Sequence, residues 1–139
     1  MCGMPKILKA AIMPIRQRVG IARALVVEPE VLLMDDPFSS LDELTAETLC
    51  REVLEIWREP SMLTDSFIMV THNVHEAVFM ADRIIVLRAR PGRVVADLKI
   101  DLPRPREKYA HSEAFYKYEQ DLIAIIERNS APAQSAQKM

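Results

Sequence analysis

The sequence predicts an α/β fold of mostly parallel strands with flanking helices and a helix towards the C-terminus. Val31-Leu32-Leu33-Met34 is an unbroken apolar run, entered from Pro29 and ended by Asp35 and Asp36, the pattern of a strand buried on both faces. Ser66 to Thr71 is a second run of β-formers. The stretch between them has helical periodicity, and a helical crossover makes the two strands parallel neighbours. Ser112 to Arg128 reads as the late helix, with Phe115, Tyr118, Leu122 and Ile125 on one side.

The other elements follow in order. Met1 to Ile15, with Pro5 and Pro14, is a leader without recognisable pattern. Arg16 to Val27 predicts a helix, with Val19, Ala22, Leu25 and Val26 at spacings of three and four. Gly20 within it costs about 1 kcal/mol relative to Ala, so it marks either close packing or a tolerated defect. Pro37 stops the first strand, and Ser39 to Leu41 make a tight loop. Either Asp42 is the N-cap of a helix running to about Trp57, or Ser40 and Glu43 form a capping box. Leu49, Val53, Ile56 and Trp57 are the expected buried stripe. After a turn at Pro60-Ser61 and the second strand, Asn73 to Met80 is a short helix. Arg83 to Leu87 and Val94 to Ile100 make a hairpin about Arg90-Pro91-Gly92-Arg93. Leu102-Pro103-Arg104-Pro105-Arg106 cannot continue a sheet and reads as a linker, its basic residues as a solvated face. From Asn129 to Met139 the chain is small and polar, and is expected to be disordered.

Composition narrows the function. With 139 residues, 50% hydrophobic and only 3 Gly, the chain can bury a core. A formal charge of -2 without a basic stripe argues against nucleic acid as a partner. No apolar run approaches the ~20 residues of a membrane helix, and the opening residues do not form a signal peptide. Cys2 and Cys50 lack metal-type spacing and suit reduced thiols in a cytosolic protein.

The chemistry gathers at strand ends. In open parallel sheets ligands bind beyond the carboxyl ends of the strands, and adjacent acids there suit a hydrated Mg²⁺ with a water-activating base beside it. Phosphoryl chemistry is the natural expectation. His72, at the end of the second strand, should lie beside the carboxylates. His72-x-x-His75 has the look of a metal pair, but the strand-end position favours a role for His72 alone.

Asp35-Asp36-Pro37-Phe38 followed by Ser39-Ser40-Leu41-Asp42, after four apolar residues, resembles the Walker B motif and D-loop of ATP-binding-cassette (ABC) ATPases. Arg16-Gln17-Arg18-Val19-Gly20-Ile21-Ala22-Arg23-Ala24-Leu25 resembles the helix after that family's signature loop, and Val70-Thr71-His72-Asn73 resembles its H-loop. Glu76-Ala77 and Ala81-Asp82-Arg83-Ile84 continue the pattern. The resemblance implies a nucleotide-binding domain of the P-loop NTPase type, using ATP and Mg²⁺. Asp35 would hold the metal through its water shell. Asp36, where the family has Glu, would polarise the attacking water, and His72 would hold the γ-phosphate. Asp42 would couple two ATPase subunits across a dimer. The implied partners are that second subunit and a membrane permease, with the protein peripheral on the cytoplasmic side of the membrane. The segment Arg90 to Arg106 resembles the nitrate, sulfonate and taurine importer branch.

The resemblance has limits. Where the family has Leu-Ser-Gly-Gly, this chain has Ala11-Ile12-Met13-Pro14, with no hydroxyl at Ile12 and no amide hydrogen at Pro14. No Gly-x-x-x-x-Gly-Lys-Ser/Thr phosphate loop occurs. The expectation is therefore a C-terminal part of the domain: leader 1–15, partial ATPase domain 16–101, linker and helix 102–129, tail 130–139. The sharp onset at Arg16 suggests a truncated gene, a mis-assigned start or an out-of-frame leader. The strand bearing the phosphate loop would leave an open edge in the sheet. The alternative reading is a remnant or interaction module that hydrolyses nothing.

Overall fold

A computed structural model describes the backbone of residues 6–130 and the side chains of residues 15–130. Of the tail expected from Asn129 onwards, Asn129 and Ser130 are helical, a correction, since the last helix runs on to Ser130; 131–139 and the first five residues of the leader lie outside the described residues. The chain divides into two units, Met1–His72 and Asn73–Met139.

The first unit holds α1 (Lys6–Leu25), β1 (Val31–Asp35), α2 (Glu43–Arg58) and β2 (Ser66–Val70). β1 and β2 pair in parallel, with Leu32 opposite Phe67, Met34 opposite Met69 and Asp35 opposite Val70, as the helical crossover predicts. α2 covers one face. Its buried residues Ala46, Leu49, Cys50, Val53 and Leu54 join Leu32, Met34 and Phe38 in the core, and Trp57 meets Phe67 with ring centroids 5.8 Å apart. The stripe is thus shifted from the one expected, because Ile56 turns outward. Asp42 is the N-cap, which settles the choice left open between two caps.

Burial of β1 on both faces is not what the structure shows. Leu32 and Met34 are buried, while Leu33 is 72% exposed and Ile68, its partner on β2, 56%. Val31 and Val70 extend this apolar face. The physical reason is layering: a strand is buried twice only when both faces carry a packed layer, and among the described residues the sheet has two strands.

α1 begins ten residues before the expected start, so residues 6–15 of the leader are helical, through Pro14. A proline inside a helix removes one backbone donor and does not forbid the turns on either side. Val19, Ala22 and Val26 are exposed, and Gln17, Ile21, Ala24 and Leu25 are the half-buried positions. The side facing α2 is fixed by Arg18, whose Nε and Nη2 donate to the two carboxylate oxygens of Glu52 at 2.9 and 2.8 Å. A Cβ at Gly20 would meet nothing within 4 Å, so this glycine is a tolerated defect and no close packing demands it. Glu28, in the left-handed region at φ 50°, donates its amide to Leu25 and ends the helix.

The second unit holds α3 (Val74–Met80), β3 (Arg83–Arg88), β4 (Arg93–Lys99), a short 3-10 turn (Arg106–Lys108) and α4 (Glu113–Ser130). β3 and β4 form the expected antiparallel hairpin, with a bulge that slips the register between Val86/Ala96 and Leu87/Val94. Val78, Phe79, Met80, Val86, Ile100, Leu102, Phe115 and Leu122 are its buried apolar residues. The expected solvated linker is here a correction. The Arg106 side chain is 1% exposed and that of Arg104 is largely covered, because both guanidinium groups are taken up by backbone carbonyls and Asp82. Among the described residues, no helix is long and apolar enough to cross a membrane.

Candidate active site at the strand ends of the first unit

Asp35 closes β1 and is exposed. Asp36 follows in the left-handed region at φ 45°, with its amide donating to Val70 O at 2.7 Å, so the β1–β2 ladder continues one step past the strands. An L-residue other than Asn or Asp rarely adopts that backbone, and such strain gathers at functional positions. The turn then closes on itself. Ser39 Oγ donates to Asp36 O at 3.2 Å, Leu41 N to Phe38 O at 3.1 Å, and Phe38 is buried beneath.

His72 stands two residues past the end of β2. Its Nδ1 lies 2.9 Å from Asp36 Oδ2, with the His72 side chain 87% exposed and that of Asp36 27%. The parallel pairing brings the two together: Asp35 opposes Val70, so the next residues of both strands emerge at one end of the sheet. Opposite an ionised carboxylate Nδ1 must be the donor, which leaves Nε2 as the ring's other polar atom.

Asp42 is engaged otherwise. Oδ2 accepts from Thr45 N at 3.1 Å and Oδ1 from Thr45 Oγ1 at 2.6 Å, and these hydrogen bonds, the side-chain one foremost, hold its carboxyl below the usual range. In this chain its visible work is capping α2. His75 does not join His72: its Nδ1 meets Glu119 Oε1 at 2.8 Å in the second unit, between the rings of Phe79 and Phe115. Among the described residues no group of three or more His, Cys, Asp or Glu could hold a metal ion. A hydrated Mg²⁺ does not need one, since it keeps most of its waters and takes one or two carboxylates plus substrate phosphates. The exposed carboxylate of Asp35 beside Asp36 fits that requirement.

Sequence reasoning placed Asp35, Asp36 and His72 at one sheet end, and missed the backbone of Asp36 and the burial of Arg106. A count of unpaired carbonyls at the end of α3 would have called for a donor such as Arg106.

Carboxylates and a histidine at the ends of adjacent parallel strands, joined by a helical crossover, are the arrangement of a nucleotide-binding α/β core. The solved structure of CbiO1 from Clostridium perfringens, part of the ABC transporter complex CbiONQ, superposes with a TM-score of 0.55 at 26% identity, covering 85% of this chain and 43% of that one. The aliphatic sulfonates import ATP-binding protein SsuB of Bacillus licheniformis is 48% identical over 92 residues, 66% of this chain and 35% of its own length. The nitrate import ATP-binding protein NrtD of a Synechocystis strain is 40% identical over 118 residues, 80% of this chain and 43% of its own length. No protein-family model matches the chain. The relatives and the structural neighbour are thus ATP-binding proteins of ABC transporters, and the chain matches part of them. It spans about two fifths of the length of the curated relatives it matches, 35% and 43% for these two.

Proposed function

We propose that the chain is part of the ATP-binding and ATP-hydrolysing subunit of an ABC importer that energises uptake of a small anion of the nitrate, sulfonate or taurine class. The observation that carries this reading is the Asp36–His72 contact at 2.9 Å. It sets a carboxylate and an imidazole side by side at the end where a parallel sheet binds its ligand. Asp35 would hold Mg²⁺ through its waters. Asp36 would orient and deprotonate the attacking water, with His72 between it and the terminal phosphate. Phosphate oxygens only accept, so Nε2 meets one as a donor when the ring carries both protons. Asp35, Asp42 and His72 are the nucleotide-binding set, and Asp36 and His72 the catalytic pair. Positioning and charge stabilisation account for such catalysis. Residues 16–101 would form the ATPase part, 102–129 its linker and closing helix. The protein would sit peripherally on the cytoplasmic side of the membrane, paired with a second ATPase subunit and seated on a permease.

The test joins residues 16–139 to the N-terminal part of the Synechocystis NrtD protein, where the resemblance places the phosphate loop and signature loop. Steady-state ATP hydrolysis is expected, falling on the order of 10² or more in His72→Ala, the scale of a lost acid-base or charge-stabilising group. Turnover that survives His72→Ala would overturn the reading. A folded chimera that binds ATP without hydrolysing it would favour the second reading, a non-catalytic interaction module.

A further inference from the structure

The β3–β4 hairpin of the second unit changes character towards its tip. From Ile84 to Ala96 the chain carries Arg88, Arg90 and Arg93 and no acidic residue, whereas Asp82, Asp97 and Asp101 lie towards the base. Arg88 faces Arg93 on the last rung, and Leu87 faces Val94 on the rung before. Successive strand residues point to opposite faces, so the tip has a basic side and an apolar side. Leu87 is 71% exposed and Val94 62%, and half-exposed Ile85 extends the apolar side. Arg90 and Arg93 are exposed and Arg88 is half-buried. Like charges directly opposite one another weaken a strand pair. Arg83, nearer the base, is met by Asp97 at 2.6 Å, but among the described residues none of the three tip arginines has an ion pair or a side-chain hydrogen bond.

We propose that the hairpin tip is a docking surface for a membrane leaflet rich in anionic headgroups. Leu87 and Val94 enter the boundary between headgroups and acyl chains, and Arg88, Arg90 and Arg93 take the phosphates. An arginine stem lies along apolar surface while its head stays with the phosphates, and the planar fork meets two phosphate oxygens at once. A nucleic acid would use the arginines alone and leave Leu87 and Val94 in water; a lipid surface uses both sides of the tip. The chain as a whole carries a formal charge of -2, so the attraction must be local. Asp97 lies about 13 Å along the strand from Arg93, beyond the screening length of about 8 Å at physiological salt. Neither the nucleotide site nor a permease takes part, so the surface stands or falls apart from the proposed ATPase.

The experiment is flotation of the full chain with lipid vesicles, which leaves any aggregate behind. The chain should float with vesicles of equal parts phosphatidylglycerol and phosphatidylcholine, and not with phosphatidylcholine alone. A basic residue at an anionic surface contributes about fivefold in partitioning, so Arg88→Gln, Arg90→Gln and Arg93→Gln together should lower it about a hundredfold. If that variant does not fold, Arg90→Gln with Arg93→Gln, both at exposed positions, should lower it about 25-fold. Leu87→Thr with Val94→Thr, which leaves every charge in place, should lower it about tenfold. Lys108→Gln, Lys117→Gln and Arg128→Gln together remove the same charge from exposed positions of the 3-10 turn and α4, and should change it by less than about twofold. Equal flotation with uncharged vesicles would overturn the proposal, as would an equal loss in the variant of Lys108, Lys117 and Arg128. So would binding of duplex DNA that depends on the three arginines, together with flotation that does not depend on Leu87 and Val94, because the tip would then be a nucleic-acid contact.

Discussion

Asp36→Glu should make the protein less stable and more active at once. The residue sits at φ 45°, where Asp is several-fold enriched over ordinary side chains, so a longer acid loses something under about 1 kcal/mol of backbone tolerance. The added methylene advances the carboxylate by roughly one C–C bond, about 1.5 Å, towards where an attacking water would sit. A positioned base contributes on the order of 10² to 10⁴ in rate, and a base drawn back by one bond forfeits a share of that, about tenfold. Nucleotide affinity depends on Asp35 and the phosphate loop, and should not move. In the chimera with the NrtD N-terminal part, Asp36→Glu should raise turnover about tenfold at unchanged affinity for ATP. In the original chain it should lower the urea midpoint slightly. Equal turnover in the two chimeras would refute the argument: the strained turn would then already deliver the shorter carboxylate to the water. A gain in stability would refute the other half, the claim that this backbone favours Asp.

The chain as it stands should show no saturable Mg-ATP binding at micromolar nucleotide by isothermal titration, because it supplies no amide cradle for the β- and γ-phosphates; a micromolar isotherm would require another phosphate site. Gly20→Ala, at a position where a Cβ meets nothing, should add about 1 kcal/mol and raise the midpoint of thermal unfolding by about 2–8 °C. Leu33→Thr with Ile68→Thr should reduce light scattering at high concentration without changing the far-ultraviolet dichroism, since both positions lie on the open face of the sheet. The Asp42 carboxyl is held low by Thr45, so its contribution to α2 is complete above the unfolded value of about 3.9 and is lost as pH falls through the lower folded value. Acid titration of α2 amide exchange should therefore steepen below about pH 4, and Asp42→Asn, which keeps a cap but not a charge, should flatten it.

Local chemistry made most elements legible. A β-rich run ended by acids, a carboxylate opening a helix and a Pro-Gly turn between alternating strands each act within a few residues, and β1, α2 and the β3–β4 hairpin are where those signals put them. What was illegible depends on partners distant in the chain. Four apolar residues in β1 state a capacity for burial on two faces, and only the layers actually present decide how much of it is used. Arg106 follows Pro105 in a polar stretch, where a solvated charge is the ordinary outcome; its acceptors lie 25 and 28 residues earlier, at Ala81 and Val78. Asp36 and His72 are brought together by strand register, which the crossover helix implied, whereas the left-handed turn at Asp36 has no sequence signature beyond the tolerance of Asp for it.

The Arg106 contacts also close a loop in the chain. The hairpin leaves at Asp82 and returns at Ile100, whose amide donates to Asp82 O at 2.9 Å, and Arg106 binds carbonyls on both sides of that junction. The base of the hairpin is thereby clamped, while Ala89 to Arg93 at its tip are exposed. Exposed tips over a clamped base tolerate added chain. The Pro91-Gly92 turn is therefore the place to splice in a fluorescent or affinity reporter, which would ride on the second unit while the strand ends bearing Asp36 and His72 keep their native sequence.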